Sequence, residues 1–96
     1  MNTPQINEFV PVPTDPKEAY TREFEFPNGY TANVVRRPGS YGWTQGLFEV
    51  AIFSTKDGEL VTDLPDPAFE RGVIGWLTPI AVAEIVNKVA QLEDRA

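Results

Sequence analysis

The sequence predicts one α+β domain: a four-stranded antiparallel sheet in β-β-β-β-α order, with one C-terminal amphipathic helix packed on one face. Short segments of alternating apolar and polar residues, typical of half-buried strands, are separated by glycine and proline turns. The last segment instead repeats its apolar residues at helical spacing. A chain of 96 residues has room for one hydrophobic core. A proline-rich N-terminal arm occupies residues 1–19 in this prediction, and the domain occupies residues 20–96.

The N-terminal arm carries four of the nine prolines of the chain. Prolines favour extended backbone and remove hydrogen-bond donors. An apolar Phe-Val-Pro-Val run at residues 9–12 stands among them. Because a solvated tail gains little from such a run, the arm is expected to pack on its own domain. Disorder of the arm and docking of the arm on a partner stay open as alternatives.

The first two strands are predicted to form a hairpin. Residues 20–26 alternate between two faces, residues 30–36 do the same, and a Pro-Asn-Gly turn at residues 27–29 lies between them. An Asn-Gly pair tolerates the positive φ angles of a tight hairpin turn. The two strands should therefore pair antiparallel.

The third strand, residues 47–55, is placed centrally in the sheet because both of its faces carry apolar residues. An Asp-Gly turn at residues 56–59 follows, and residues 60–62 are predicted as a short fourth strand. Prolines hold residues 63–72 as a loop. The next apolar run, residues 73–77, is interpreted as the approach to the helix.

The helix is predicted to begin at Thr78, a favourable N-cap, with Pro79 at the first helical position. Trp76, just before it, is expected to lie buried between helix and sheet. The alternative is a small exposed patch formed by Trp76 and Ile80 at the helix start. The apolar stripe at helical spacing consists of Val82, Ile85, Val86, Val89 and Leu92.

The composition argues against several classes of function. The chain has no cysteine and no histidine, which removes disulfides, thiolate metal sites and imidazole catalysis. Eight basic against fourteen acidic side chains give a net charge of −6, so binding of nucleic acid, which needs a concentrated basic surface, is not expected. Neither a signal peptide nor an apolar run long enough to span a membrane is recognisable. A cytoplasmic location without membrane binding is therefore expected.

Acidic side chains offer two weak candidates for chemistry: a loop with the spacing of an oxygen-rich cation site, and strands that could present paired carboxylates. The loop contains two prolines and lacks the glycine of known calcium loops, and a small sheet offers little of the cleft that an acid–base pair needs. Both sets are interpreted as solvated, and no metal, cofactor or catalytic residue is predicted. The residues concerned are Asp63, Asp66 and Glu70 in the loop, and Glu23, Glu25 and Glu49 on the strands.

The glycine-rich loop at residues 36–46 is the most unusual segment of the chain. Arginine, tyrosine and tryptophan are enriched at interface hot spots, and neighbouring glycines allow a partner to approach the backbone. Arg36, Arg37, Tyr41 and Trp43 are therefore predicted to form a protein-binding site, with Trp43 as its anchor. In the alternative interpretation, Tyr41 and Trp43 cover the sheet edge and the glycines only turn the chain.

Three short motifs between residues 26 and 92 carry a resemblance: an F-x-N-G-Y hairpin, an R-x-P-G-S-Y-G loop and a V-I-G-x-L-T helix start. Through these motifs the chain resembles a family of small uncharacterised proteins from phages of actinobacteria, mycobacteriophages among them. The resemblance implies a phage protein made inside a bacterial host, and it implies no particular activity. The corresponding residues are Phe26, Asn28, Gly29 and Tyr30; Arg36, Pro38, Gly39, Ser40, Tyr41 and Gly42; and Val73, Ile74, Gly75, Leu77 and Thr78.

The functional hypothesis is a small phage accessory protein that acts without catalysis, by binding and modulating a host protein in the host cytoplasm. The lack of a nucleophile–base pair, the acidic charge and the glycine-rich loop favour it. Two alternatives stay open: a small ligand-binding or enzymatic domain that uses the loop as a pocket wall, and a minor structural component of the virion. An open sheet edge could also pair two copies into a homodimer.

Overall fold

The predicted sheet and helix are both present in the computed structural model, which describes residues 19–64, 69 and 71–94. The strands pair antiparallel in the spatial order β1-β2-β3-β4, and the helix follows the last strand in the chain. This confirms the α+β prediction. The predicted arm, apart from its last residue, lies outside the described residues. The elements are β1, Tyr20–Glu25; β2, Tyr30–Arg36; β3, Phe48–Ser54; β4, Val73–Leu77; and α1, Pro79–Ala90.

The β1–β2 hairpin forms where the Asn-Gly pair predicts it. Gly29 takes a φ of 90°, and its N–H donates to the carbonyl of Phe26 at 3.2 Å. Pairing begins directly beyond the turn, where Glu25 lies opposite Thr31. The positive φ at the glycine is the local requirement that the sequence pattern anticipates.

The fourth strand is not where the sequence predicts it. Residues 60–62 make only an isolated bridge, from Leu60 to Phe53, whereas Val73–Leu77 pairs along β3 as β4. A segment of three residues is at the short limit of strand length, whereas Val73–Leu77 is longer and rich in residues that favour strands. Residues 61–72 therefore separate the bridge at Leu60 from β4 at the sheet edge.

The hydrophobic core lies between the sheet and α1. Alternate residues of β2 and β3 face the helix, and Val82, Val86 and Val89 are completely buried against them. Ile85 and Leu92, at the flanks of the predicted stripe, are partly buried. The central strands contribute Ala32, Val34, Phe48, Val50 and Ile52 to the core.

The start of α1 follows the prediction. Thr78 is the N-cap, its Oγ1 accepts the N–H of Ala81 at 3.2 Å, and Pro79 occupies the first turn. Among the residues that the structure describes, no helix is long and apolar enough to cross a membrane. The sharp start fixes where the chain leaves β4 and enters the helix.

Candidate functional site

The loop between β2 and β3 is held by hydrogen bonds within itself. Ser40 Oγ donates to the carbonyl of Arg37 at 2.8 Å and accepts the Arg37 N–H at 3.0 Å. Gly42 then takes a φ of 90° and begins a 3₁₀ turn over Trp43–Gln45. The glycine-rich sequence therefore forms a defined turn, which restricts where its aromatic side chains can lie.

This loop packs on β4 through two glycines. A Cβ atom on Gly42 would lie 3.2 Å from the Trp76 Cα and 2.8 Å from the Leu47 Cβ. A Cβ atom on Gly75 would collide with the Cβ of Tyr41. Glycine at both positions permits this close approach, so the loop and the edge strand form one continuous surface.

A β-bulge in β4 sets the direction of Trp76. Phe48 pairs with Leu77 and Val50 pairs with Ile74, so β4 advances by three residues where β3 advances by two. Ile74 and Leu77 consequently both pack on the core. Trp76 takes a φ of 60° and is the one non-glycine residue with a positive φ in the described part of the chain. A bulky side chain in this left-handed region is a genuine outlier.

Trp76 is exposed, so the prediction that it is buried is wrong. Its exposed fraction is 55%, and that of Ile80 in the first turn of α1 is 62%. The alternative, in which both residues are exposed at the helix start, is confirmed. A regular strand cannot place Ile74 and Leu77 on the same face, because they are an odd number of residues apart. The bulge does so, and it turns Trp76 away from the core.

Tyr41 and Trp76 border a depression that we call the aromatic groove. Its volume is about 370 Å³. Tyr41 is 59% exposed, and its N–H donates to the carboxylate of Glu49 at 3.1 Å. Because Gly75 has no side chain, Tyr41 packs directly against the backbone of β4. The groove is lined by Tyr41, Arg71, Val73, Gly75 and Trp76.

The structure separates the residues that the sequence grouped into one protein-binding site. Tyr41 reaches the aromatic groove, Arg37 is exposed and Trp43 is half-buried in the 3₁₀ turn. Neither Arg37 nor Trp43 lines the groove. The exposed aromatic neighbour of Tyr41 is therefore Trp76 on β4. The sequence predicts a buried position for this tryptophan.

Arg36 requires a correction to the predicted site. Its exposed fraction is 2%, its guanidinium carbon lies 4.9 Å from the centre of the Phe48 ring, and its Nη1 donates to the carbonyl of Gly46 at 3.3 Å. A guanidinium placed over an aromatic face is stabilised by the ring quadrupole. Arg36 thus joins the base of the loop to the core and is not presented at the surface.

The strand carboxylates lie on a different surface. Glu23 and Glu25 border a polar depression of about 190 Å³, while Glu49 is bonded to the glycine-rich loop. The described residues contain no group of three or more acidic side chains that could hold a metal ion. Asp66 and Glu70 of the predicted acidic loop lie outside the described residues. The other residues that line the polar depression are Thr31, Asn33, Phe53, Ser54, Thr55 and Gly58.

The sequence does not predict the groove, because four of its five described lining residues come from β4 and from the segment just before it. Arg71 carries no pattern that marks it as functional. A usable signal does exist for Trp76: Ile74 and Leu77 are three residues apart with Gly75 between them, and a glycine inside a strand often marks a bulge.

Comparisons of the chain with protein-family models, with curated proteins and with solved structures find no match. The resemblance to actinobacteriophage proteins therefore stays a prediction. The feature that bears most directly on function is the grouping of Tyr41, Arg71 and Trp76 around the aromatic groove.

Proposed function

We propose that the protein is a non-enzymatic binding protein and that the aromatic groove is its recognition surface. The observation that carries the proposal is Trp76, an exposed tryptophan held at a φ of 60° in an edge strand. Backbone strain of this kind costs about 1–3 kcal/mol and concentrates at functional sites. An indole that is more than half exposed contributes little to the core, so fold stability alone does not account for it.

The residue types and their fixed positions support binding. Tyrosine and tryptophan supply large contact areas with few rotatable bonds and are enriched among hot-spot residues. Tyr41 is held by its bond to Glu49 and by the close approach of Gly75. Trp76 is held by the bulge. Because a surface arranged before association loses less entropy on binding, these restraints favour affinity.

The lining of the groove supports a function without catalysis. In the part of the chain that the structure describes, no carboxylate, histidine or lysine that could serve as a general base lines the groove. A net charge of −6 disfavours nucleic acid and anionic membrane surfaces as partners. With the resemblance to phage proteins, these points support a protein partner from the bacterial host, bound in the host cytoplasm.

Affinity capture tests this proposal. The tagged protein and its Trp76→Ala and Tyr41→Ala variants are incubated with lysate of an actinobacterial host, and retained proteins are identified by mass spectrometry. We expect the parent and a Leu60→Ala control, which changes an exposed residue outside the groove lining, to retain one host protein that both groove variants lose. Truncating a hot-spot residue costs about 2 kcal/mol or more, which is about a thirtyfold loss of affinity. Retention by folded groove variants, or no specific retention by the parent, contradicts the proposal.

Trp43→Ala distinguishes the groove from the site that the sequence predicted. Because Trp43 is half-buried, we expect this variant to melt at a lower temperature and to retain the partner when it is folded. If the variant melts like the parent and loses the partner, the anchor is Trp43, as the sequence predicts, and the recognition surface is centred on the 3₁₀ turn. Thermal melting monitored by circular dichroism, run beside each capture, makes the distinction.

A further inference from the structure

We propose that the aromatic groove selects a protein segment in which an apolar side chain is flanked by carboxylates, and that Arg71 makes this selection. The inference rests on the proposed function, because it names the chemistry of the partner at the same surface. It is carried by the juxtaposition of the Arg71 guanidinium with two exposed aromatic side chains in a groove that Val73 and Gly75 also line.

Arg71 differs from Arg22 and Arg36, whose guanidinium groups are stacked on aromatic rings. The guanidinium carbon of Arg22 lies 4.5 Å from the centre of the Phe24 ring, and Arg36 is stacked on Phe48 in the same way. Arg71 is exposed and has no hydrogen bond, ion pair or ring contact within the described part of the chain. Its N–H donors are therefore available to a ligand.

The ligand chemistry follows from the groove lining. A planar guanidinium matches a carboxylate, with which it forms two parallel hydrogen bonds. Tyr41, Trp76 and Val73 present apolar surface that suits an aliphatic or aromatic side chain. The volume of about 370 Å³ is at the small end of ligand sites, about 300–1,000 Å³. The groove therefore fits one apolar side chain and its immediate neighbours.

Charge within the groove favours an acidic segment over a basic one. Among the described residues, the lining contains no carboxylate that would compete for Arg71 or attract a lysine. Glu49, whose carboxylate accepts the Tyr41 N–H, is not a lining residue. The net charge of −6 repels an acidic segment at long range, but this repulsion is screened beyond about 8 Å at physiological ionic strength. Arg71 acts at contact, so the selection persists at physiological salt.

Three acetylated and amidated peptides that differ only in their flanking residues test the inference: GSDLFDSG, GSNLFNSG and GSKLFKSG. Each is titrated into the ¹⁵N-labelled full-length protein at about 0.15 M salt. The Kd is taken from the shift of the Trp76 indole N–H, with the Trp43 indole as internal reference. We expect the acidic peptide to bind about tenfold more tightly than the neutral one, and the basic peptide to bind most weakly.

Variants make the test specific to Arg71. Arg71→Glu should reverse the order, so that the basic peptide binds most tightly. Lys56→Glu makes the same change of charge in the exposed turn after β3 and should leave the order unchanged. Trp76→Ala, in which the indole reporter is absent and the Kd is taken from the backbone amide of Gly75, should weaken binding of all three peptides.

Several results overturn the inference: equal Kd values for the three peptides, tightest binding of the basic peptide by the parent, an order that Arg71→Glu leaves unchanged, or no shift of the Trp76 indole with any peptide. The proposed function survives these results if host capture still depends on Trp76, since capture does not require an acidic segment. Capture that does not depend on Trp76 overturns the proposed function itself, whatever the peptides show.

Discussion

The side-chain amide of Asn28 donates a hydrogen bond to the carbonyl of Val89 at 2.9 Å, across 61 residues of chain. The same nitrogen lies 3.1 Å from the carbonyl of Leu92, and the Asn28 Oδ1 accepts the N–H of Tyr30 at 3.2 Å. The last carbonyls of a helix have no donors within the helix. Asn28, which lies in the turn of the β1–β2 hairpin, therefore also supplies a donor to the carbonyls at the C-terminal end of α1.

Replacing Asn28 should lower the free energy of unfolding. We expect Asn28→Ala to cost about 2 kcal/mol, because it leaves buried carbonyls without a donor. Asn28→Asp should cost more, since a carboxylate cannot donate and meets the negative end of the helix dipole. Urea denaturation measures both values, and Gln45→Glu, the same amide-to-carboxylate change at an exposed position, should have little effect. An Asn28→Asp variant as stable as the parent would show that the bond to α1 does not form.

The sequence predicts the turn at Asn28 and does not predict its bond to the helix. Turn chemistry depends on the two adjacent residues, Asn28 and Gly29, and is readable locally. The bond to Val89 depends on how the hairpin and α1 pack, which no local pattern encodes. The same distinction explains the fourth strand. Val73–Leu77 has the apolar content of a strand, but its pairing with β3 joins residues that are more than twenty positions apart in the chain, and no local pattern specifies it.

Gly39 and Gly42 have nearly the same φ but differ in how closely they are packed. Alanine substitutions at the two positions therefore measure the cost of backbone strain and the cost of close packing separately. Gly39 has a φ of 92° with nothing within 4 Å of an added Cβ, while Gly42 has a φ of 90° and is packed against Leu47 and Trp76. We expect Gly39→Ala to cost about 1 kcal/mol from the positive φ alone. Gly42→Ala should cost about 1–3 kcal/mol more because of the overpacking. Chemical denaturation gives the difference; equal losses would mean that the loop does not rest on β4.

The register of α1 is tested by two separate variants, each of which places an aspartate at one aliphatic position of the helix. Val86 is completely buried, whereas Ile80 is exposed in the first turn. Val86→Asp should cost at least about 3 kcal/mol, because the charge is buried without a partner. Ile80→Asp should change stability by less than about 0.5 kcal/mol, since an exposed acid near a helix N-terminus is favoured. Comparable melting temperatures for the two variants would refute the assigned helix face.

The candidate site is less predictable from the sequence than the core. Val82, Val86 and Val89 follow a helical period, so their burial is anticipated by spacing alone. Trp76 lies one residue before the end of an apolar run, and the same pattern fits a buried and an exposed indole equally well. Only the pairing of Ile74 and Leu77 with β3 creates the bulge that decides between them. Arg71 becomes part of the site only because the loop that carries it passes beside that bulge.

The strain at Trp76 predicts that a glycine variant is more stable than an alanine variant at this position, the reverse of the usual order of stability in a strand. In a regular strand, glycine is less stable than alanine by about 0.5–1 kcal/mol. At a φ of 60° alanine is disfavoured by about 1–2 kcal/mol relative to glycine, so Trp76→Gly should be the more stable variant by about 1 kcal/mol. Trp43 is the matched control, because its φ is not positive, and Trp43→Ala should be at least as stable as Trp43→Gly. Urea denaturation of the four variants gives both differences. If Trp76→Ala proves more stable than Trp76→Gly, the backbone at Trp76 is unstrained, and strain no longer supports a binding role for this tryptophan.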